Sequence, residues 1–277
     1  MKINLWGVRG SIPTTGPDTA IYGGNTSCTD VWEDGWLLIL DGGSGMHRLE
    51  LKHPLAHKRI DILLTHLHLD HIQGLGFFQP FFDPEMEIHL YGPVSSHRTL
   101  HSRLSRYLSP PLFPVLLRDL PCKLVLHEVE NSVINIGPFT VHSSYVIHPG
   151  PTVGYRIVGA RSSFAYLPDH EPALGRNGMI DDRNWISAID LAADADVLLH
   201  DAQYTTEEYA NRKGWGHSSM NDAVRFASVA GAKHLLLSHH DPSRSDTQLE
   251  ELYDRLRNEN HLSVQTDLAK EGMELEV

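Results

Sequence analysis

Cysteine is nearly absent, with only Cys28 and Cys122 in 277 residues. Two thiols cannot build a disulfide framework or a cysteine-based zinc site, so both are expected to be small buried side chains, with a single bridge as the alternative. Basic charge is also short. Lys+Arg number 23 against 35 Asp+Glu, a formal net charge of −12, and an acidic chain is a poor non-specific binder of nucleic acid. No apolar run approaches the roughly 20 residues that cross a bilayer. The start, Met1-Lys2-Ile3-Asn4-Leu5, lacks a basic segment followed by a long apolar stretch and reads as a strand, not a leader. Sustained repeats and low-complexity linkers are missing. No serine sits in a nucleophile elbow, since Ser44 in Gly43-Ser44-Gly45 lacks the G-x-S-x-G context. What remains is the expectation of a cytoplasmic protein without a membrane segment, long enough to bury a substantial core.

Histidine, by contrast, is plentiful, at 19 of 277. Four candidate metal ligands fall within Thr65-His66-Leu67-His68-Leu69-Asp70-His71, directly after the apolar run Ile60 to Leu64. A strand ending there would deliver His66 and His68 to one side, because side chains two apart share a face. Asp70 and His71 would fold back on the following turn. Imidazole and carboxylate suit Zn, Mn or Fe(II). A chance His-x-His-x-Asp-His is expected in well under about one in a hundred chains of this composition, so the motif is a strong signal.

The heptad resembles the signature of the metallo-β-lactamase superfamily of metallohydrolases. The resemblance implies further stations in a fixed order, and each has a counterpart: Asp41 in Leu40-Asp41-Gly42-Gly43, His148 in Ile147-His148-Pro149-Gly150, Asp169 in Leu167-Pro168-Asp169, and His239 in Leu237-Ser238-His239. It implies a four-layer αββα sandwich, an α/β (α+β) fold, with the site at one edge between the sheets. It also implies two divalent ions, with Zn expected first and Mn or Fe as alternatives. His66, His68 and His148 would hold one ion and Asp70, His71 and His239 the other, with Asp169 between them. Asp41 would support the heptad without touching metal. Position alone does not separate His239 from its neighbour His240; the family's Leu-Thr-His pattern favours His239.

Two more stations, His200-Asp201-Ala202-Gln203 and Gly216-His217-Ser218-Ser219, resemble the paired acid and His-Ser-Thr motifs of the phosphodiesterase-type branch. That branch includes the tRNA 3′-processing endonucleases and the cyclic phosphodiesterase of the carbon–phosphorus lyase pathway. There the histidine binds phosphate or protonates the leaving oxygen, and the acid orients it. Here the pair would be His217 and Asp201, with Asp70 also catalytic. Val8-Arg9-Gly10-Ser11 and Gly23-Gly24-Asn25-Thr26 match the branch's glycine-rich opening, which makes Arg9 and Asn25 weak candidates for phosphate contact.

Local patterns place these stations. Strands are expected at Ile3–Gly7, Thr26–Trp32, Trp36–Leu40 and Ile60–Leu64, with Asp34-Gly35 as a hairpin turn. A second β block is expected from Leu124–Val129, Phe139–Ser144, Thr152–Val158 and Phe164–Leu167, followed by Val197–Leu199 and His234–Leu237. Helices are expected from Ser44 to before Pro54, over Ser95–Leu108, Asp182–Ala193 and Asn221–Val229, the last capped by Ser218 or Ser219 and closed by Gly231. A final helix starts at Ser245 or Asp246, with Leu249, Leu252, Tyr253 and Leu256 on one face. Residues 94–121, with the stiff Pro110-Pro111-Leu112-Phe113-Pro114, are expected as an insertion capping the site of a single domain over 1–277, with Phe113 touching substrate. An alternative is that they simply cover the core.

The expected function is a di-metal hydrolase of small or cyclic phosphodiesters, cyclic nucleotides among them; a metal-bridging hydroxide would attack phosphorus. Alternatives are an RNA 3′-end endonuclease, a lactone or thioester hydrolase, and a metal-binding sensor without turnover. The acidic charge argues for a small-molecule substrate over nucleic acid. A homodimer is left open.

Overall fold

The computed structural model describes residues 1–51, 55, 57–173, 182–259 and 262–277. Among the described residues fourteen strands form two seven-stranded sheets. In chain order they are β1 (Lys2–Gly7), β2 (Cys28–Glu33), β3 (Trp36–Leu40), β4 (Arg59–Leu63), β5 (Glu87–Pro93), β6 (Lys123–Val129), β7 (Ser132–Ile136), β8 (Phe139–Tyr145), β9 (Val153–Val158), β10 (Ser163–Leu167), β11 (Val197–Asp201), β12 (His234–Ser238), β13 (Gln265–Leu268) and β14 (Glu274–Glu276). The helices are α1 (Leu69–Ile72), α2 (Leu100–Leu104), α3 (Ile189–Ala192), α4 (Thr206–Tyr209), α5 (Met220–Ala230) and α6 (Asp246–Glu259).

The first sheet runs β14-β1-β2-β3-β4-β5-β6 and the second β13-β12-β11-β10-β9-β8-β7. Each has an antiparallel half and a parallel half: β3 to β6 in the first, β10 to β13 in the second. The sequences of these strands explain why both faces are covered. In β3, Leu38 and Leu40 pack between the sheets while Leu37 and Ile39 pack outward. In β12, Leu236 points inward while Leu235 and Leu237 meet α5 and α6. Strands buried on two faces read as continuous apolar runs. Helices lie outside both sheets, giving the expected αββα layering.

Asp34 and Gly35 have φ of 50° and 79°, the left-handed pair that a two-residue hairpin requires. Ser219, not Ser218, caps α5, accepting from the Asp222 N–H, and Gly231 ends it at φ 73°. Ser245 precedes α6 and accepts from Gln248 N–H. Cys28 and Cys122 are free and buried. Among the described residues no helix is long and apolar enough to cross a membrane.

Several expectations change. The helix from Ser44 is a 310 turn, Ser44–Arg48; Pro54 lies outside the described residues. The span from Asp182 divides into a 310 turn, Arg183–Trp185, and the short α3. Only Leu100–Leu104 is helical within Ser95–Leu108. The strand at 123–129 belongs to the first sheet, paired parallel with β5. Parallel neighbours need a long crossover, and residues 94–122 are that connection. Leu100, Leu104, Leu108, Phe113 and Leu117 all join the outer core of the first sheet, so this side of the segment covers the core. Its other side, with Arg106, Tyr107 and Leu112, lines a cavity shared with Leu67, Leu69 and Ile72.

Candidate metal centre

The site forms where strands of both sheets end. Beyond β4 the chain continues through Leu64, whose N–H still bonds Tyr91 of β5, and then through Thr65 to His66. His68 sits at the N-cap of α1 in extended conformation, and Asp70 and His71 lie within that short helix. Gly43 lets this turn settle close to the end of β3: a Cβ there would lie 2.3 Å from the Asp70 carbonyl oxygen. His148 comes from the β8–β9 loop, Asp169 follows β10 and His239 follows β12.

These residues converge. Ligand atoms of His66, His68 and His148 lie within 4.8 Å of one another, as do those of Asp70, His71, Asp169 and His239. Asp169 Oδ1 is 3.0 Å from His71 Nε2 and 3.3 Å from His239 Nδ1. Its Oδ2 is 3.8 Å from His66 Nε2 and 3.7 Å from His148 Nε2. One carboxylate thus faces both clusters with different oxygens.

The donors fit a pair of cations. His66 Nε2, His71 Nε2, Asp169 Oδ1 and both ring nitrogens of His239 are buried without a hydrogen-bond partner. Buried polar atoms are ordinarily paired, and five orphans converging from four residues mark a place for a ligand-accepting ion. Electrostatics agree. Burial holds His66 well below the usual histidine range, lowers His68, and brings His148 down to about 4, so these rings are neutral donors near neutral pH. For His71 burial works the other way from the outcome: Asp169, Asp41 and Asp70 raise its proton affinity well above normal. Asp169 is held well below its usual range against its own burial, chiefly by His239 and His71.

The rings are aimed from behind. Asp41 Oδ2 accepts a hydrogen bond from His71 Nδ1–H at 2.8 Å, leaving Nε2 for the centre. Asp41 also accepts from the Thr65 N–H at 2.8 Å, from Thr65 Oγ1 and from the Tyr166 hydroxyl at 3.1 Å. Thr65 Oγ1 in turn lies 3.0 Å from His66 Nδ1. His148 Nδ1 donates to the Gly216 carbonyl at 2.8 Å. Partners of this kind fix tautomer and orientation, and their loss typically costs about 10–100-fold in metal affinity. Asp41→Asn is therefore expected to weaken metal binding by about 10–100-fold. Chelator competition would measure it, with thermal unfolding of the metal-free protein as the control; unchanged affinity would assign Asp41 to the turn alone.

Beside the centre, His217 Nδ1 is 2.6 Å from Asp201 Oδ2. Asp201 also accepts from the N–H groups of Gln203 and Ser218, so its carboxylate is fixed. Burial opposes charge on His217, but Asp201 overcomes it and carries the ring up to about 9. The ring stacks on His239, centroids 4.9 Å apart.

Other sequence candidates are placed elsewhere. Arg9 is fully buried, and its guanidinium donates to the carbonyls of Gly23, Asp241 and Arg244; it ties loops together and does not face a phosphate. Asn25 is bonded to Glu271 and Ser44. Phe113 is 6% exposed, packed on Phe77 and against Gly76, so it does not line the centre. His240 Nε2 bonds the Ala269 carbonyl, which leaves His239 as the residue in the cluster. His170 and Glu171 are fully buried. His170 Nδ1 lies 2.9 Å from His200 Nε2. Glu171 accepts from the N–H groups of Gly214 and Gly216 and from the Tyr209 hydroxyl.

Sequence reasoning missed Thr65, Tyr166, Gly216 and Glu171 as supports. Tyr166 carried a signal: on β10 it shares the inward face with Phe164, and a buried tyrosine hydroxyl needs a partner.

A family model of the beta-lactamase superfamily domain matches residues 36–240, a span holding every residue of the centre together with Asp201 and His217. Ribonuclease Z of Myxococcus xanthus is 28% identical over 264 residues, covering 78% of this chain and 83% of that protein. The metallo-beta-lactamase fold protein YhfI from Bacillus subtilis superposes with a TM-score of 0.71 at 21% identity, covering 100% of this chain and 98% of the other. A diphosphatase of the PhnP family superposes with a TM-score of 0.70 at 21% identity, covering 100% and 97%.

Proposed function

The chain belongs to the metallo-β-lactamase superfamily, and from that membership we propose that it is a hydrolase of small phosphodiesters working with two divalent cations. His66, His68 and His148 would hold one ion, Asp70, His71 and His239 the other, and Asp169 would offer an oxygen to each. Zn is the first expectation for a nitrogen-rich set of five imidazoles and two carboxylates, with Mn and Fe as alternatives. When bound, such a pair supplies Lewis acidity, which lowers the proton affinity of water and draws charge from phosphoryl oxygens. The observation that carries the reading is the Asp169 carboxylate, placed between two complete donor sets.

The chain's own residues do the rest. Water gives up a proton to solvent as its oxygen bonds to phosphorus, and the bond to the leaving oxygen breaks. His217 gives that oxygen a proton from Nε2, because Nδ1 is engaged by Asp201 at 2.6 Å. Asp201 holds the ring in this tautomer and favours its charged form. Asp41, Thr65 and the Gly216 carbonyl keep His71, His66 and His148 aimed while charge moves. In this reading the chain acts as a single domain over 1–277, and residues 94–121 would flank the approach to the centre through the cavity that Arg106, Tyr107 and Leu112 share with Leu67 and Leu69.

A second reading, cleavage of RNA 3′ ends, is favoured by the similarity to ribonuclease Z. The net charge of −12 weighs against it, since gripping a polyanion needs released counterions and a basic surface. Elemental analysis paired with linear and cyclic phosphodiesters, a lactone, a thioester and precursor tRNA tests both. Two metal equivalents with turnover of small phosphodiesters is the expected result. Faster cleavage of precursor tRNA would favour the second reading, and metal without turnover on any substrate would make the protein a sensor.

A further inference from the structure

Trp215 stands two residues before His217 with 59% of its surface exposed. A lone exposed aromatic is ordinary on a protein surface, but this one shares a cavity wall with His217. The wall is that of a cavity of about 530 Å³, within the range of small-molecule sites. Ser11, Gln203, Tyr204, Arg212, Trp215 and His217 are among its lining residues.

The loop beneath Trp215 is fixed. The Glu171 carboxylate accepts from Gly214 N–H at 2.9 and 3.0 Å and from Gly216 N–H at 2.9 Å, one bond on each side of the tryptophan. Gly214 and Gly216 have φ of 81° and 85°, and Gly216 is wedged against His148 and Pro149, where a Cβ would come within 2.3 Å of Pro149 Cδ. Trp215 N–H closes the turn onto the Arg212 carbonyl at 3.1 Å. Arg212 Cζ lies 5.0 Å from the centre of the Tyr204 ring, and Tyr204 meets His217 edge to face. An indole on a rigid loop, a guanidinium settled on an aromatic face and the His217 imidazole therefore share one cavity.

We infer that Trp215 is the stacking face for the base of a nucleoside phosphodiester, with Arg212 beside it. The inference rests on the phosphodiesterase reading and narrows its substrate class. A base has a flat π-face that an indole can cover whatever the base's identity, and the phosphate then falls at the centre flanked by His217. Arg212 is the one arginine among the described residues of this wall, Asp241 also lines it, and the chain's charge is −12; this balance fits one nucleotide unit better than a long polyanion.

The test compares adenosine 5′-phosphate with ribose 5-phosphate, alike except for the base, by calorimetric titration into zinc-loaded protein. The nucleotide is expected to bind roughly tenfold more tightly, as base–aromatic stacking allows. Trp215→Ala should bring the two affinities within about twofold of each other, and Trp215→Phe should keep most of the difference. Equal affinities in the wild type, no measurable binding of the nucleotide, or a preference that survives Trp215→Ala would each overturn the inference. So would a concentration-dependent dimer that Trp215→Ala dissolves without any base preference, which would make the patch an interface between copies. Binding is read without turnover, so the two readings fail separately. Phosphodiester hydrolysis without base preference removes only the stacking face, and base preference without hydrolysis removes only the catalytic reading.

Discussion

Asp169→Ala is expected to lower bound metal from two equivalents to one or fewer and to cut phosphodiester turnover by about a thousandfold or more. The magnitude follows from what the two ions supply at phosphorus, several kcal/mol of charge stabilisation, with each 1.36 kcal/mol worth tenfold in rate. The residue is singled out by geometry. Asp70, His71 and His239 serve one cluster and His66, His68 and His148 the other, whereas Asp169 faces both through separate oxygens. Asp169→Asn keeps the shape and one oxygen but loses the charge, so it should retain more metal than the alanine variant. A thermal readout makes the test independent of activity. A ligand that binds only the folded state stabilises it by about 2.7 kcal/mol at one hundred times its dissociation constant. Added zinc should therefore raise the unfolding temperature of the wild type by clearly more than that of Asp169→Ala. Two full equivalents of tightly held metal in Asp169→Ala would show that the carboxylate does not join the clusters.

The heptad was legible because its chemistry is local. Four ligands within six positions need only a strand end and one turn to meet, and the structure supplies both, although β4 stops at Leu63, earlier than its apolar run suggests. His148, Asp169 and His239 could be assigned only through the resemblance, since nothing in their own neighbourhoods says which distant strand end they approach. His239 shows why local pattern fails there. Its φ is 59°, so it leaves the alternation of β12, and the choice against His240 depends on a backbone turn that sequence does not announce. Asp41, also at φ 59°, leaves β3 in the same way. Sparsely populated conformations of this kind cluster at functional sites.

Arg9 and Phe113 failed for a different reason. A lone arginine in a glycine-rich segment reads alike whether it meets a phosphate or three backbone carbonyls, and its partners in this chain, Gly23, Asp241 and Arg244, come from two remote loops. The sequence ties Phe113 to the mouth only if residues 94–121 are an insertion. The unrecognised strand β5 makes them a crossover, and an aromatic residue on a crossover belongs against the sheet it crosses. The fold's layers were therefore clear from the apolar runs, while the assignment of segments between layers depended on one strand partner.

His217→Ala is expected to leave both metal equivalents in place and to reduce kcat by about 100- to 10,000-fold, the range for loss of a positioned general acid. The separation is structural: His217 Nδ1 is committed to Asp201 at 2.6 Å, and Asp169 lies at 4.0 Å, so the ring stands beside the clusters. The loss should also depend on the substrate. A weakly basic leaving oxygen departs without a proton, so a p-nitrophenyl ester should lose much less than an alkyl ester. Removing a metal ligand would impair both esters together, because charge on the phosphoryl oxygens is the same in each. Asp201→Asn should follow the same pattern with a smaller loss, since it removes the charge that favours protonated His217 but keeps a polar partner for Nδ1. Metal analysis and the ratio of rates for the two esters decide the matter. Lost metal in His217→Ala, or equal losses on both esters, would make His217 a ligand and not the proton donor.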